Sequence, residues 1–326
     1  MVVQDTPAAS ILTFNQGAIM ALPSSIDTAF VRQYSSTLYS LAQQRKSKFV
    51  MNVRQEGCQG ESKSFDRIGE AEVQEMTTRH GDTPNNEQPH TRRWVTPTNY
   101  HTNSYVDQED KLAMLIEPTN EYMQNQARAL GRQSDDLIIT AALGDAAAGV
   151  TPTTSTASLK DESVSINGDG TVTSLGTLAT VETIVDMTLA KIATMQQLFD
   201  DEDVDEEIPR MWAITPKDVR AMLQLTALTS SDFVTLKPLE TGDIVNFLGF
   251  NFIKSTRLTK DAVGSTGYRT FAWAKDGIIY ASAKGIESHI DQLPTKSYTT
   301  QVYSKMNGGA VRMEGAKVHE CLNKVA

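Results

Sequence analysis

The residues closest to a known chemistry are Gly57-Cys-Gln-Gly-Glu-Ser-Lys63-Ser64, which follow the strand-like stretch Phe49–Val53. A phosphate-binding loop reads G-x-x-x-x-G-K-[ST]. Its last glycine lets the backbone approach the phosphates and its lysine neutralises them. Here Ser62 stands where that glycine belongs, and no apolar strand ending in Asp follows to hold magnesium. The expected structure is a glycine-containing loop at the base of a hairpin. Ser165–Gly170 (SINGDG) imitates the first half of a calcium loop, but Gly176 occupies the twelfth position, where a bidentate Glu is needed. A hairpin turn is expected there too. Asp200, Asp201, Glu202, Asp203, Asp205, Glu206 and Glu207 put seven acids into eight positions. Such a run can hold Ca²⁺ or Mg²⁺ loosely. A solvated loop is the expected reading, because the charges repel and acids at a helix C-terminus oppose its dipole.

The five histidines are 80, 90, 101, 289 and 319. No two stand four apart, and there is no H-E-x-x-H. His80, His90 and His101 share one polar stretch, which gives them a route to converge. Neither G-x-S-x-G nor G-x-G-x-x-G occurs. Arg92-Arg93-Trp94 joins bases to an aromatic, a combination that binds single-stranded nucleic acid in some proteins. One such cluster on an acidic chain fits an inter-subunit anchor better, since Trp and Arg are both enriched at interface hot spots. No catalytic residue, metal ligand or cofactor site emerges.

Composition narrows the classes further. Of 326 residues, 40% are apolar and 21% charged, which excludes a disordered chain. Thirty bases against forty acids give a net charge of −10, so the overall field does not draw the chain to DNA or anionic lipid. No apolar run approaches a bilayer span. The N-terminus lacks the pattern of a secretory signal. Two distant cysteines, Cys58 and Cys321, make no disulfide framework, so a reducing compartment is expected.

The elements that would position these residues are uneven. Ser24–Leu41 has helical spacing within an N-terminal arm, residues 1–52. Residues 53–106 are poor in apolar side chains and rich in Gly, Pro and charge, and read as a long open hairpin. Helical spacing over 107–148 should break at Pro118. The helix that follows, Thr119 to about Leu143, would be roughly 37 Å long, a strut. Ser163–Gly176 reads as a hairpin, 179–200 as a helix, and Thr215-Pro216 as the cap of a helix over Lys217–Leu225. Strands are expected at Met211–Ile214, Phe250–Lys254, Thr270–Ala274, Gly277–Ala281, Tyr298–Lys305 and Val311–His319. The class is α+β. An arm, a hairpin of more than fifty residues and a strut cannot fold alone; neighbouring copies would complete them. The mixed charges of the hairpin suit such pairing, with Arg54, Glu61, Lys63, Arg67, Glu70, Arg92, Arg93 and Trp94 as candidate contacts.

In this order the parts resemble the major capsid proteins of tailed bacteriophages, with the Hong Kong 97-type coat fold. Residues 53–106 stand where that family has its extended loop, and Thr119–Leu143 where it has its spine helix. Leu178–Phe199 followed by Ile208–Leu223 (IPRMWAITPKDVRAML) is similar to its axial domain. Leu248–Leu258 (LGFNFIKSTRL) resembles its G-F-x-[IV]-x-x-S strand, and Gly285–Val325 its β-rich return. The resemblance implies a peripheral domain over 107–149 and 285–326 and an axial domain over 150–284, with the acid run in an axial loop. It implies hexamers and pentamers closing an icosahedral shell around double-stranded DNA, without sequence-specific binding and without a membrane. Scaffolding, portal and decoration proteins are the implied partners, and the host cytoplasm the place of assembly. The chain starts almost directly with its arm, so scaffolding is expected from a separate protein. No Lys–Asn crosslinking pair matches. The alternatives are an encapsulin-like compartment around a cargo enzyme and a metal-dependent hydrolase built from His80, His90, His101 and the acid run.

Overall fold

The computed structural model describes residues 41–75, 77–79, 81, 85–107, 119–152, 155–157, 164–166, 172–174, 185–224, 246–260 and 267–324. The expected helix over 24–41 and the helical stretch 108–117 lie outside them, apart from Leu41. In chain order the elements are β1 (Arg54–Gly57), β2 (Lys63–Ile68), β3 (His90–Val95), β4 (Thr98–Val106), α1 (Thr119–Leu143), β5 (Ala146–Ala148), β6 (Ser155–Ala157), β7 (Val164–Ile166) and β8 (Val172–Ser174). There follow α2 (Leu189–Asp201), β9 (Arg210–Ile214), α3 (Pro216–Leu223), β10 (Asn246–Phe247), β11 (Phe250–Lys254) and β12 (Gly267–Ala274). The last are β13 (Ile278–Ser282), β14 (Glu287–Leu293), β15 (Thr299–Arg312) and β16 (Val318–Lys324).

These strands form three sheets. The first runs β1-β13-β15-β14, with β4 also paired to β15; the second runs β10-β11-β9-β12-β16-β7-β8; the third runs β2-β3-β5-β6. All five residues of β9 are buried, as a strand inside a sheet covered on both faces requires. α3 starts in a capping box: the Thr215 hydroxyl accepts from Asp218 N, and the Asp218 carboxylate accepts from Thr215 N. α2 is capped by Thr188, whose backbone is extended, so it starts at Leu189 rather than near 179; residues 179–184 of the expected helix lie outside the described residues.

α1 is the strut, and its bounds are those expected from the sequence. Leu130, Ile138, Ile139, Ala142 and Leu143 bury one stripe. Three polar side chains share that stripe: Gln126, Ser134 and Asp135. Gln126 donates to Ser104 Oγ and to the Val302 carbonyl, and accepts from Ser304 Oγ at 2.9 Å. α1, β4 and β15 are thereby joined by a buried polar contact in which every group is paired. The C-terminal end of α1 is covered by Arg312, which is fully buried. Its guanidinium donates to the carbonyls of Ala142, Gly144 and Ala157. A cation there meets both the orphan carbonyls and the negative end of the helix dipole.

Two expectations need correction. Val311–His319 is not one strand. β15 ends at Arg312, the chain turns through Met313–Lys317, and β16 starts at Val318. The turn carries the chain out of the first sheet and into the second. β14 is an additional strand; its mostly exposed residues pair along β15 from Glu287↔Lys305 to Leu293↔Thr299. β13 lies beside β15 and β16 beside β12.

Candidate assembly interface

The hairpin is the natural place to start. β2 and β3 pair antiparallel from Lys63↔Val95 to Ile68↔His90. Beyond the ladder its legs stay tied: Gly69 N donates to the Pro89 carbonyl, Gln74 Nε2 to Asn86 Oδ1, and Asn86 Nδ2 to the Glu72 carbonyl. Lys63 to Gln74 would span roughly 40 Å at about 3.3 Å per residue. The outer parts of 53–106 behave differently. β1 pairs parallel with β13, and β4 pairs with β15 over nine residues, Thr98–Val106.

The hairpin's base is fixed by cations. The Arg67 guanidinium donates to the Met313 carbonyl at 2.5 Å and to Thr91 Oγ1. Arg93 is 2% exposed and donates to the same carbonyl at 3.3 Å. Trp94 Nε1 donates to the Gly149 carbonyl at 2.9 Å. Arg93 and Trp94 therefore hold the hairpin within its own subunit. On the outer face Arg92 pairs with Asp66 across the ladder and lies over the Trp94 ring at 5.8 Å. The Arg92 guanidinium holds the Asp66 carboxyl below its ordinary range. β15 passes close by because residue 309 is glycine: a Cβ there would come within 3.0 Å of Val95 and 3.1 Å of Pro97.

The phosphate-loop imitation is resolved by the same geometry. Lys63 Nζ donates to the Gly57 carbonyl at 2.8 Å and pairs with Glu56 at 3.3 Å, and Cys58 is buried. Arg54 also pairs with Glu56, and these two cations lower that carboxyl's pKa. Lys63 thus closes the turn between β1 and β2. Glu61 and Glu70 are exposed.

The acid run caps α2. Asp200 and Asp201 are its last residues, Asp203 adopts a positive φ of 51°, and Val204 turns inward to 5% exposure. Asp200 pairs with the buried Arg210 at 2.7 Å, which also donates to the Val204 carbonyl and lies over Phe199. Asp205 accepts from Glu207 N. Glu202, Asp203, Glu206 and Glu207 face solvent. The described histidines are scattered: His90 starts β3, His101 packs against Tyr303, His289 is on β14, and His319 is buried against Phe199. His80 and the turn 167–170 lie outside the described residues. Among the described residues no group of three His, Cys, Asp or Glu is placed to hold a metal ion, and no helix is long and apolar enough to cross a membrane.

One site was missed from sequence. Asp135 on α1 is 0% exposed. Its carboxylate accepts from Gln44 Nε2, Ser47 Oγ, Lys48 N and Phe49 N. It fastens the last part of the arm, Gln44–Phe49, to the strut, and seats Phe49 against Phe271 and Trp273. The signal was an acid on the buried stripe of α1.

The described residues combine a long helix, a sheet-rooted hairpin and a helix–strand–capped-helix unit. The family model described as "Phage capsid protein" matches residues 26–325. The chain belongs to that family. Phage capsid proteins are structural and make up the virion shell. No curated protein matches this one in sequence. Among solved structures, the capsid of Cyanophage P-SCSP1u is 15% identical with a TM-score of 0.70, covering 98% of this chain and 100% of that one. The Cyanophage Pam1 capsid is 16% identical with a TM-score of 0.70, covering 94% and 100%. The chain from an empty GTA particle is 10% identical with a TM-score of 0.66, covering 93% and 98%. The fold of this major capsid protein is the Hong Kong 97-like α+β fold. The match favours a capsid over a cargo compartment or a hydrolase.

Proposed function

We propose that copies of this capsid protein associate into hexamers and pentamers that close an icosahedral shell around double-stranded DNA, a structural role without catalysis. The observation that carries this reading is the hairpin: anchored at its base by Arg67, Arg93 and Trp94, exposed along Gly69–Glu75. Such an element is stiff where it leaves its subunit and lacks cover where a neighbour would lie. Residues 1–52 act as the arm, 53–106 as the extended loop, 107–149 with 285–326 as the peripheral domain and 150–284 as the axial domain. Arg54, Glu61, Lys63, Arg67, Glu70 and Arg92 are the inter-subunit contacts, with Arg93 and Trp94 bracing them from within. The acid run Asp200–Glu207 is an axial loop. A net charge of −10 suits a container that encloses DNA without gripping it. Assembly takes place in the host bacterial cytoplasm, with scaffolding, portal and decoration proteins as partners.

The test is to replace Gly69–Pro89 with a two-residue turn, leaving the β2–β3 ladder intact. The subunit should keep its unfolding midpoint and form no shells by cryo-EM. Shells at wild-type yield would refute the proposal.

A further inference from the structure

Three polar side chains from three elements meet in the interior: Lys191 on α2, Asp218 on α3 and Asn323 on β16. Lys191 and Asn323 are 0% exposed and Asp218 is 2% exposed. Their chain neighbours Ile192, Val219 and Cys321 belong to the apolar core at that place. Lys191 Nζ donates to Asn323 Oδ1 at 3.1 Å, and to the carbonyls of Val185 and Leu322 at 2.9 and 2.8 Å. The Asn323 amide nitrogen donates to the Asp218 carboxylate and to Thr270 Oγ1, the latter at 3.4 Å. Asp218 also accepts from Thr215 N and Thr215 Oγ1. An amine, an amide and a carboxyl group are thus held against one another in fixed orientations.

The surroundings suit a reaction between them. In a dry site a charged amine beside a charged carboxylate is costly, and moving one proton across makes both neutral. Burial, the largest influence, pushes the Asp218 carboxyl above its ordinary range, although Thr215, Asn323 and Lys191 pull the other way. Such a carboxyl group takes up and returns protons readily. Burial also pushes the Cys321 thiol up to about 12, so it stays an S–H donor, and it points at Asn323 Oδ1 from 3.6 Å. The amide oxygen therefore has donors on it where negative charge would develop if its carbon were attacked.

We propose that Lys191 and Asn323 join covalently within one subunit, by an amide bond between Lys191 Nζ and Asn323 Cγ. Asp218 first takes a proton from the Lys191 ammonium, which frees the lone pair on Nζ. Nζ attacks Asn323 Cγ, and the carbonyl oxygen takes up the displaced electron pair. Asp218 gives its proton to Nδ2 and takes a second one from Nζ. The carbonyl re-forms, the Cγ–Nδ2 bond breaks, and ammonia leaves with the bonding pair, carrying the last proton off Asp218 as ammonium. One amide replaces another, so no oxidant, reductant or second substrate is needed. The exclusion of water keeps hydrolysis from competing. The bond would tie β16 to α2 across 132 positions of sequence, closing a long loop that the unfolded chain could no longer open. It needs no second copy and does not rest on the capsid reading.

The experiment is mass spectrometry of the folded full chain. Its intact mass should fall one ammonia short of the sequence mass. Trypsin should leave Lys191 uncut and yield a branched peptide that joins it to Asn323. The branched peptide separates this bond from a succinimide at an Asn-Gly step such as Asn307-Gly308, which also sheds ammonia. Lys191→Met should restore the full mass. Asp218→Asn, which keeps the side-chain volume, should slow the appearance of the branched peptide by roughly 100-fold or more. A folded chain at full sequence mass would overturn the proposal, as would an ammonia deficit with Lys191 and Asn323 in separate peptides. Equally fast linkage in the Asp218→Asn chain would overturn the part given to Asp218. If either variant fails to fold, the mass and digest of the unaltered chain decide the matter alone.

Discussion

Asp135→Ala tests whether the last part of the arm, Gln44–Phe49, is held by one carboxylate. The native side chain is fully buried and accepts from four donors, two of them the backbone N–H groups of Lys48 and Phe49. Hydrogen bonds to a charged group contribute about 1.5–3 kcal/mol each. Gln44 and Ser47 are only half-buried and regain water when released. The two backbone donors lose a charged acceptor, a gross cost of roughly 3–6 kcal/mol. Part of this is offset because the variant no longer desolvates a carboxylate. The expected net loss is about 3 kcal/mol, or a fall in Tm of roughly 4–5 °C for a chain of 326 residues. Asp135→Asn keeps the volume and one acceptor and should lose about 2 kcal/mol. Thermal unfolding of dilute, unassembled subunits gives the totals. Hydrogen exchange gives the location: protection should vanish at Lys48 and Phe49 before the rest of α1 is affected. A loss below about 1 kcal/mol, with both amides still protected, would show that Phe49 packing alone seats the segment.

Acid should weaken the second sheet through His319. Burial holds its imidazole down to about 4, against 6.5 ordinarily. Between those values the unfolded chain binds more protons than the folded one, so this contribution is complete above about pH 6.5 and is lost as pH falls toward 4. The gap corresponds to roughly 3 kcal/mol. His319→Gln should flatten that part of the stability profile; parallel profiles for both proteins would refute it. Changing Asp201, Glu202, Asp203, Asp205, Glu206 and Glu207 to their amides, with Asp200 kept for Arg210, should move subunit stability by less than about 0.5 kcal/mol. It should still alter the salt dependence of assembly; unfolding of the subunit would contradict the solvent-facing reading.

What sequence made legible was whatever is fixed locally. α1 follows from its periodicity and from Pro118, and the β9–turn–α3 unit from an apolar run ending in Thr215-Pro216. β7 and β8 pair as the N-G and D-G turn signals suggested. What failed was set by distant partners. β14 has no alternating apolar face and is a strand because β15 supplies its ladder. Val311–His319 looked continuous because both ends are apolar; only the separate sheets they enter require a turn between them. Arg93 was expected as an inter-subunit anchor; within the subunit it donates to a carbonyl 220 residues away.

The charged residues of the hairpin divide by position. Near the base, Lys63, Arg67 and Arg93 reach carbonyls at Gly57 and Met313, so replacing them loosens the hairpin's exit angle. Farther out, Glu70, Glu72 and Glu75 face solvent. A lever of roughly 40 Å turns a small change of angle at its base into a large displacement at its end: about 0.1 radian moves it about 4 Å, more than a hydrogen bond's length. On the proposed reading, assembly through such an element would depend on Arg93, which braces the hairpin from within. That is why Arg93 is buried rather than presented, and why its conversion to Lys, which keeps the charge but loses the planar fork, should disturb assembly more than subunit stability.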